Sequence, residues 1–213
     1  MQKLIEQCEK QVKTIYENFD ASHDWQHIER VRQNARLLME KEQADALIVE
    51  MAVLLHDVSD PKYRKPGEDL ESEILQGLDL TAGQREKIKA VIDSVSFKGG
   101  NGVEAASIEA EIVQDADRLD AIGAVGIART FAYDGAKGRR LYDWEEQPRH
   151  KMTEEEYRSK PTSSATHFYE KLLLLKDLMN TKRGKQIAEE RHLFMENFLK
   201  QFYKEWDITK KTN

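Results

Sequence analysis

Residues 44–57 read ADALIVEMAVLLHD, and Glu50 is the one charged side chain between Ala46 and Leu55. The run from Ala44 to Leu55 is too apolar for a surface helix, which keeps its apolar positions to one stripe. The segment therefore predicts a helix buried all round. It ends at His56-Asp57, followed at once by Val58-Ser59-Asp60-Pro61. A carboxylate at the end of so apolar a run is costly unless it is paired or bound to a cation. Taken alone, His56-Asp57 is also compatible with an ordinary helix end whose Asp57 faces water.

On either side the apolar residues keep helical spacing. Leu4, Ile5, Cys8, Val12, Ile15 and Phe19 make one stripe, and Ile28, Val31, Ala35, Leu38 and Met39 another. Further helices are expected near 68–78, 83–96, 105–134, 163–180 and 184–206. Thr81 is placed to cap one of them, with Gln84 three residues on. The acidic run Glu154-Glu155-Glu156 reads as solvated surface, and Pro161 to Ser164 as a loop and cap. The four prolines and eleven glycines fall mostly between the predicted helices. No alternating strand pattern and no repeat of 20 to 50 residues is found. The expectation is all-α, with residues 1–213 forming a single domain.

Composition narrows the function. Charged residues make up 34% of the 213, with a net charge of −6 and a mean hydropathy of −0.72. An acidic chain is poorly suited to gripping a nucleic-acid polymer, although a local basic pocket for a small phosphate ligand is compatible with it. Cys8 is the only cysteine, so no internal disulfide is expected. The charged N-terminal segment does not read as a signal peptide. No run approaches the roughly 20 apolar residues of a membrane span. A cytoplasmic location is expected.

A second anomaly is Asp115-Ala116-Asp117-Arg118-Leu119-Asp120, bounded by Ile112 and Val113 before it and Ala121 and Ile122 after it. Three acids within an apolar helix repel one another unless a cation or an arginine compensates them, and Arg118 is the nearest arginine. His27 is the third, on a helix with Val31 and Ala35, at the edge of the inward face. The helix start is assigned to Ser22 or Asp20 as cap, with Asp24 favouring its positive end. Two imidazoles and two carboxylates form a mixed set suited to a first-row divalent metal, with positions left for water and substrate.

His27 with Ile28 to Val31, then His56-Asp57, then Ala116-Asp117-Arg118-Leu119, resembles the H…HD…D pattern of the HD phosphohydrolase superfamily. The longer stretches Ser22–Val31 and Ile112–Gly123, with Arg183-Gly184-Lys185-Gln186, are similar to its bacterial YedJ/YpgQ subgroup, over nearly the whole chain. The resemblance implies a helical bundle with a metal-binding core at about 20–135 and C-terminal helices at about 163–206 packed on it. It further implies hydrolysis of a phosphate ester or anhydride and one divalent ion on His27, His56, Asp57 and Asp117. Manganese is the first expectation, with Co, Ni, Mg, Fe or Zn as alternatives. Asp60 stands where related nucleotidases carry an acid that positions water, although many of those have the longer glutamate. Val95 occupies a position where relatives often have histidine, which favours one metal over two. The glycine-tyrosine-proline signature of cyclic-dinucleotide phosphodiesterases is absent.

Basic candidates for holding phosphates are Lys62, Arg64 and Lys65 after Asp60, Lys98, Lys171 and Arg183, with His23 lining the pocket one turn before His27. The ligand expected is a small nucleotide, with no nucleic-acid polymer, no membrane, and a homodimer left open. The subgroup resemblance points to (deoxy)nucleoside triphosphates cleaved to monophosphate and pyrophosphate. A nucleoside monophosphate phosphomonoesterase would share every ligand, and a non-catalytic nucleotide-binding module is the alternative from another class.

Overall fold

The apolar run before His56-Asp57 forms helix α3, Ala46–Leu55, in which every residue from Leu47 to Leu55 is buried. Its start is capped by Asp45, whose side chain accepts the Leu47 N–H. Each fully buried leucine in such a position contributes about 1.5–3 kcal/mol relative to exposure. Buried Glu50 is answered by two arginines: Arg36 Nε donates at 2.7 Å, and Arg32, which also reaches Glu9, donates to the other oxygen. The computed structural model describes residues 1–20, 22–60, 63 and 67–208, without the side chains of Lys98, Arg158, Asp207 and Ile208.

Helices α1 (Gln2–Tyr16), α2 (Trp25–Met39), α5 (Ala82–Val95) and α6 (Ile108–Asp120) pack around α3, and α2 lies most extensively against α6. The predicted stripes are the packed faces: Ile5, Cys8, Val12 and Tyr16 on α1, and Ile28, Val31, Ala35 and Leu38 on α2. The short α4 (Leu70–Gly77) precedes α5, which opens with the expected capping box of Thr81 and Gln84. Among the described residues all regular structure is helical, and no strand occurs.

Two expectations are corrected. The helix predicted at 105–134 is two, α6 and α7 (Gly123–Ala136), because the chain turns at Gly123 with φ +76°. That left-handed value is open to glycine at little cost. The helix predicted at 163–180 is α9 (Ser164–Glu170) followed by a 3-10 turn, Leu172–Leu178. There Leu172 and Leu175 are buried while Leu174 is exposed, a spacing of three that suits the tighter 3-10 repeat. The acidic run at 154–156 is the first turn of α8 (Glu154–Ser159), held by a capping box between Thr153 and Glu156. Carboxylates are stabilised at that end by the helix dipole. The long α10 (Lys182–Ile208) then closes the chain over α6 and α7. No helix is long and apolar enough to cross a membrane among the described residues.

Candidate metal centre

The centre is assembled where α2 begins, α3 ends and α6 passes between them. Asp24 itself caps α2, its Oδ1 accepting the His27 N–H at 3.0 Å. The expected caps, Ser22 and Asp20, bond each other instead, Asp20 Oδ1 accepting the Ser22 N–H at 3.0 Å. The residue directly before the first helical turn is the one whose side chain reaches back to that N–H. His27 is fully buried, deeper than the edge position its spacing suggested.

Both imidazoles are oriented from behind. His27 Nδ1 lies 2.8 Å from Asp120 Oδ2, and His56 Nδ1 lies 2.9 Å from the Val53 carbonyl oxygen. A carbonyl and an ionised carboxylate can only accept, so Nδ1 carries the proton in each ring and Nε2 presents a lone pair. Both Nε2 atoms are buried and have no hydrogen-bond partner. Asp57 Oδ2 is 3.4 Å from each of them. Asp117 Oδ1 is 3.6 Å from His27 Nε2 and 3.9 Å from His56 Nε2.

These spacings suit a cation. Donors bound at about 2.1 Å to one ion stand roughly 3.0–3.4 Å from their neighbours in octahedral or tetrahedral geometry. Among the described residues, His27, His56 and Asp57 form a group that could hold a metal ion, and Asp117, 30% exposed, flanks it on a more open side. Burial and the Arg129 charge push the His27 pKa down, yet the hydrogen bond to Asp120 and the nearby Asp57 and Asp117 carboxylates raise it overall. Burial opposes ionisation of Asp57, but His56 and His27 hold it well below the usual carboxylate range. Lone pairs and carboxylates facing one another need positive charge between them, and a metal ion held by His27, His56 and Asp57 would supply it.

The three acids of α6 have three different surroundings, and Arg118 compensates none of them by a direct ion pair among the described residues. It donates to the Leu178 carbonyl. Buried Asp115 accepts the Asn180 and Thr181 N–H groups at 2.8 and 2.7 Å, and the Thr181 hydroxyl at 2.8 Å, where α10 docks. Asp120 receives Arg30 Nε and Arg129 Nη1, both at 2.7 Å, besides His27. Despite burial, those partners keep its carboxyl far below the usual range. Arg30, Arg129 and Asp120 were not among the expected site residues. The signal existed, since Asp120 follows Asp117, and Arg30 follows His27, by one helical turn.

Asp60 lies in the turn after α3, donating its N–H to the Asp57 carbonyl at 3.1 Å and accepting the Tyr63 N–H at 2.9 Å. His23 is at the edge of the cluster, its ring centroid 5.9 Å from that of His27. Its Nδ1 is 2.6 Å from Ser22 Oγ and 3.1 Å from the Tyr63 hydroxyl, which donates to Asp20 Oδ2 at 2.7 Å. Lys171 does not join the cluster in any described contact; its Nζ stands 5.6 Å from the Phe97 ring centroid. Arg183 is exposed and bonded to Gln186. It sits on the α10 end that docks at Asp115, about 200° round α6 from Asp117. Lys62, Arg64, Lys65 and the Lys98 side chain lie outside the described residues. His192, expected at the surface, is half-buried with an unpartnered, buried Nδ1.

The HD domain family matches residues 24–122, a span that holds all four donors. The Bacillus subtilis protein YpgQ is 41% identical over 208 residues, covering 95% of this chain and 94% of its own. A Lactobacillus plantarum structure superposes with a TM-score of 0.88 at 36% identity, over 98% of this chain and 99% of the other. An HD-superfamily hydrolase from Bacillus thuringiensis gives 0.73 at 45%, over 97% and 98%. YpgQ solved in complex with ADP gives 0.72 at 36%, over 96% and 95%. The helical bundle, the paired histidines with their carboxylates and these relatives agree: the chain belongs to the HD-superfamily hydrolases, the metal-dependent phosphohydrolases.

Proposed function

We propose that the chain hydrolyses (deoxy)nucleoside triphosphates to the monophosphate and pyrophosphate, with one divalent ion, manganese in the first instance, on His27, His56, Asp57 and Asp117. The observation that carries this reading is the pair of buried imidazole Nε2 atoms, unpartnered and facing two carboxylates. The ADP complex of YpgQ supports a nucleotide as the ligand class. A bound divalent ion acidifies water and draws charge from a phosphoryl oxygen. Asp120 and the Val53 carbonyl hold His27 and His56 in the tautomer that binds it. Asp60, three residues beyond Asp57, orients the attacking water and takes its proton.

A triphosphate carries about four negative charges at neutral pH, more than one divalent ion neutralises, and phosphoryl transfer depends on offsetting them. Attack at the α-phosphorus sends the β- and γ-phosphates toward basic side chains, and the loop Lys62-Tyr63-Arg64-Lys65 supplies three of these directly after Asp60. Hydrolysis in ¹⁸O-labelled water is the test. The label is expected in the nucleoside monophosphate, with unlabelled pyrophosphate. Label found only in orthophosphate overturns this reading in favour of a phosphomonoesterase.

A further inference from the structure

Behind the metal centre, on the far side of Asp120, the structure holds a cavity of about 420 Å³. Arg30, Asn34 and Asp120 line it from α2 and α6, Gly123 and Val125 from the start of α7, and Glu190, Arg191 and Phe194 from α10. Arg30 is committed to Asp120 through two nitrogens. Arg191 is different. Its guanidinium donates only to neutral groups, the Leu119 carbonyl and, at 3.4 Å, the Asn34 side-chain oxygen. No carboxylate among the described residues forms an ion pair with it. Burial pushes its pKa down, against the more distant Asp120 and Glu190 charges. Half-buried positive charge with no carboxylate in direct contact is costly, and one facing a cavity is satisfied by an anion entering it.

The site is built to keep Arg191 there. A Cβ at Gly123 would come within 2.9 Å of Arg191 Cγ and 3.0 Å of its Cβ, so the glycine lets the arginine stem cross the start of α7. Two apolar side chains, Val125 at 42% and Phe194 at 52% exposure, stand at the rim.

We propose that this cavity binds a small phosphate-class anion, Arg191 taking the charge with Arg30 beside it. Because Asp120 forms both the cavity wall and the bond to His27 Nδ1, an occupant is in line to act on the metal centre from behind. The interaction is separate from phosphate binding at the metal and is independent of which nucleotide is hydrolysed.

Calorimetric titration of the metal-loaded protein with inorganic phosphate tests this. Two classes of site are expected, and His56→Ala should remove only the one at the metal. Arg191→Gln should remove the other. Phe194→Glu replaces an exposed side chain without touching the buried hydrogen bonds, and should weaken that second class roughly five- to tenfold by charge repulsion at the mouth. Sedimentation of the same variants checks for a second copy of the chain on the apolar rim. Wild-type phosphate stoichiometry and affinity in both Arg191→Gln and Phe194→Glu overturns the proposal. So does a dimer that Phe194→Glu dissociates with phosphate binding unchanged, or an adventitious ion only, bound without saturation.

Discussion

Replacing Asp120 by asparagine keeps the volume and one acceptor oxygen but removes the charge shared by His27, Arg30 and Arg129. Asparagine cannot accept from all three, and its NH2 must face a donor. His27 then loses the partner that fixes Nδ1–H, and losing such a partner typically lowers metal affinity 10–100-fold, about 1.4–2.8 kcal/mol. Stability falls as well. Removing one member of a buried pair costs about 3–5 kcal/mol, but Arg30 is 29% exposed and Arg129 14%. Solvent takes up part of their charge, so about 2–3 kcal/mol is expected in the metal-free protein. Chelator competition with Mn and Co gives the first quantity, and urea unfolding in the presence of EDTA the second. A variant that loses stability yet binds metal within twofold of wild type refutes the argument, since Asp120 would then lock α2 to α6 without tuning the ligand.

Three other outcomes follow from the same geometry. Asp57→Ala removes the carboxylate 3.4 Å from both Nε2 atoms, and elemental analysis should find the metal lost; a full complement would show that the ligand assignment is wrong. Asp60→Asn should retain metal while kcat drops by at least about a hundredfold, as expected for a group acting on water; an unchanged kcat moves that role to another acid, Glu68 first. Glu71 is buried on α4, and burial, with Asp93 and Asp69 nearby and Lys89 opposing, raises its pKa from 4.5 to about 7. The folded state thus holds this proton where the unfolded chain releases it, and stability is lost as pH rises from about 4.5 through 7. Glu71→Gln should therefore stabilise at pH 8 by about 1–2 kcal/mol, after allowance for solvent screening, and leave stability unchanged below pH 4.5. Equal effects at both pH values in denaturant titrations would exclude the charge as the cause.

The helices were legible wherever burial follows the 3.6-residue period or covers a segment completely, as in α1, α2 and α3. Sequence reading failed where the backbone departs from that period. Gly123 turns the chain inside a continuous apolar run, so Ile122 to Val125 reads as helix although α6 has ended. Leu172 to Leu175 satisfies any period, and only the burial of Leu172 and Leu175 identifies the 3-10 turn. In the site, His27, His56 and Asp57 were legible because polar groups in apolar surroundings are conspicuous. Arg30 and Arg129 were not, because an arginine on a helix reads as surface until its partner is known. The one-turn spacing places Asp120 beside Asp117 and Arg30 beside His27, but their pairing spans 90 and 93 residues of chain, which no local spacing reveals.

The acids of α6 show why a local reading stops where it does. Asp115, Asp117 and Asp120 share one helix and one chemistry, and their roles are set by what each meets. Asp115 is turned about 200° from Asp117 and meets backbone N–H donors at the start of α10, which fastens the C-terminal helix. Asp120 meets two arginines and the back of His27, which fixes a tautomer. Asp117, with neither, keeps an oxygen 3.6 Å from the His27 lone pair, which is why it is the acid proposed to bind the cation. Compensation by Arg118 would have given all three one structural role. Compensation from α2, α7 and α10 instead couples the packing of those helices to the orientation of His27. The metal centre is therefore as rigid as the contacts behind it, and the cavity beside Asp120 and Arg191 opens into that supporting layer.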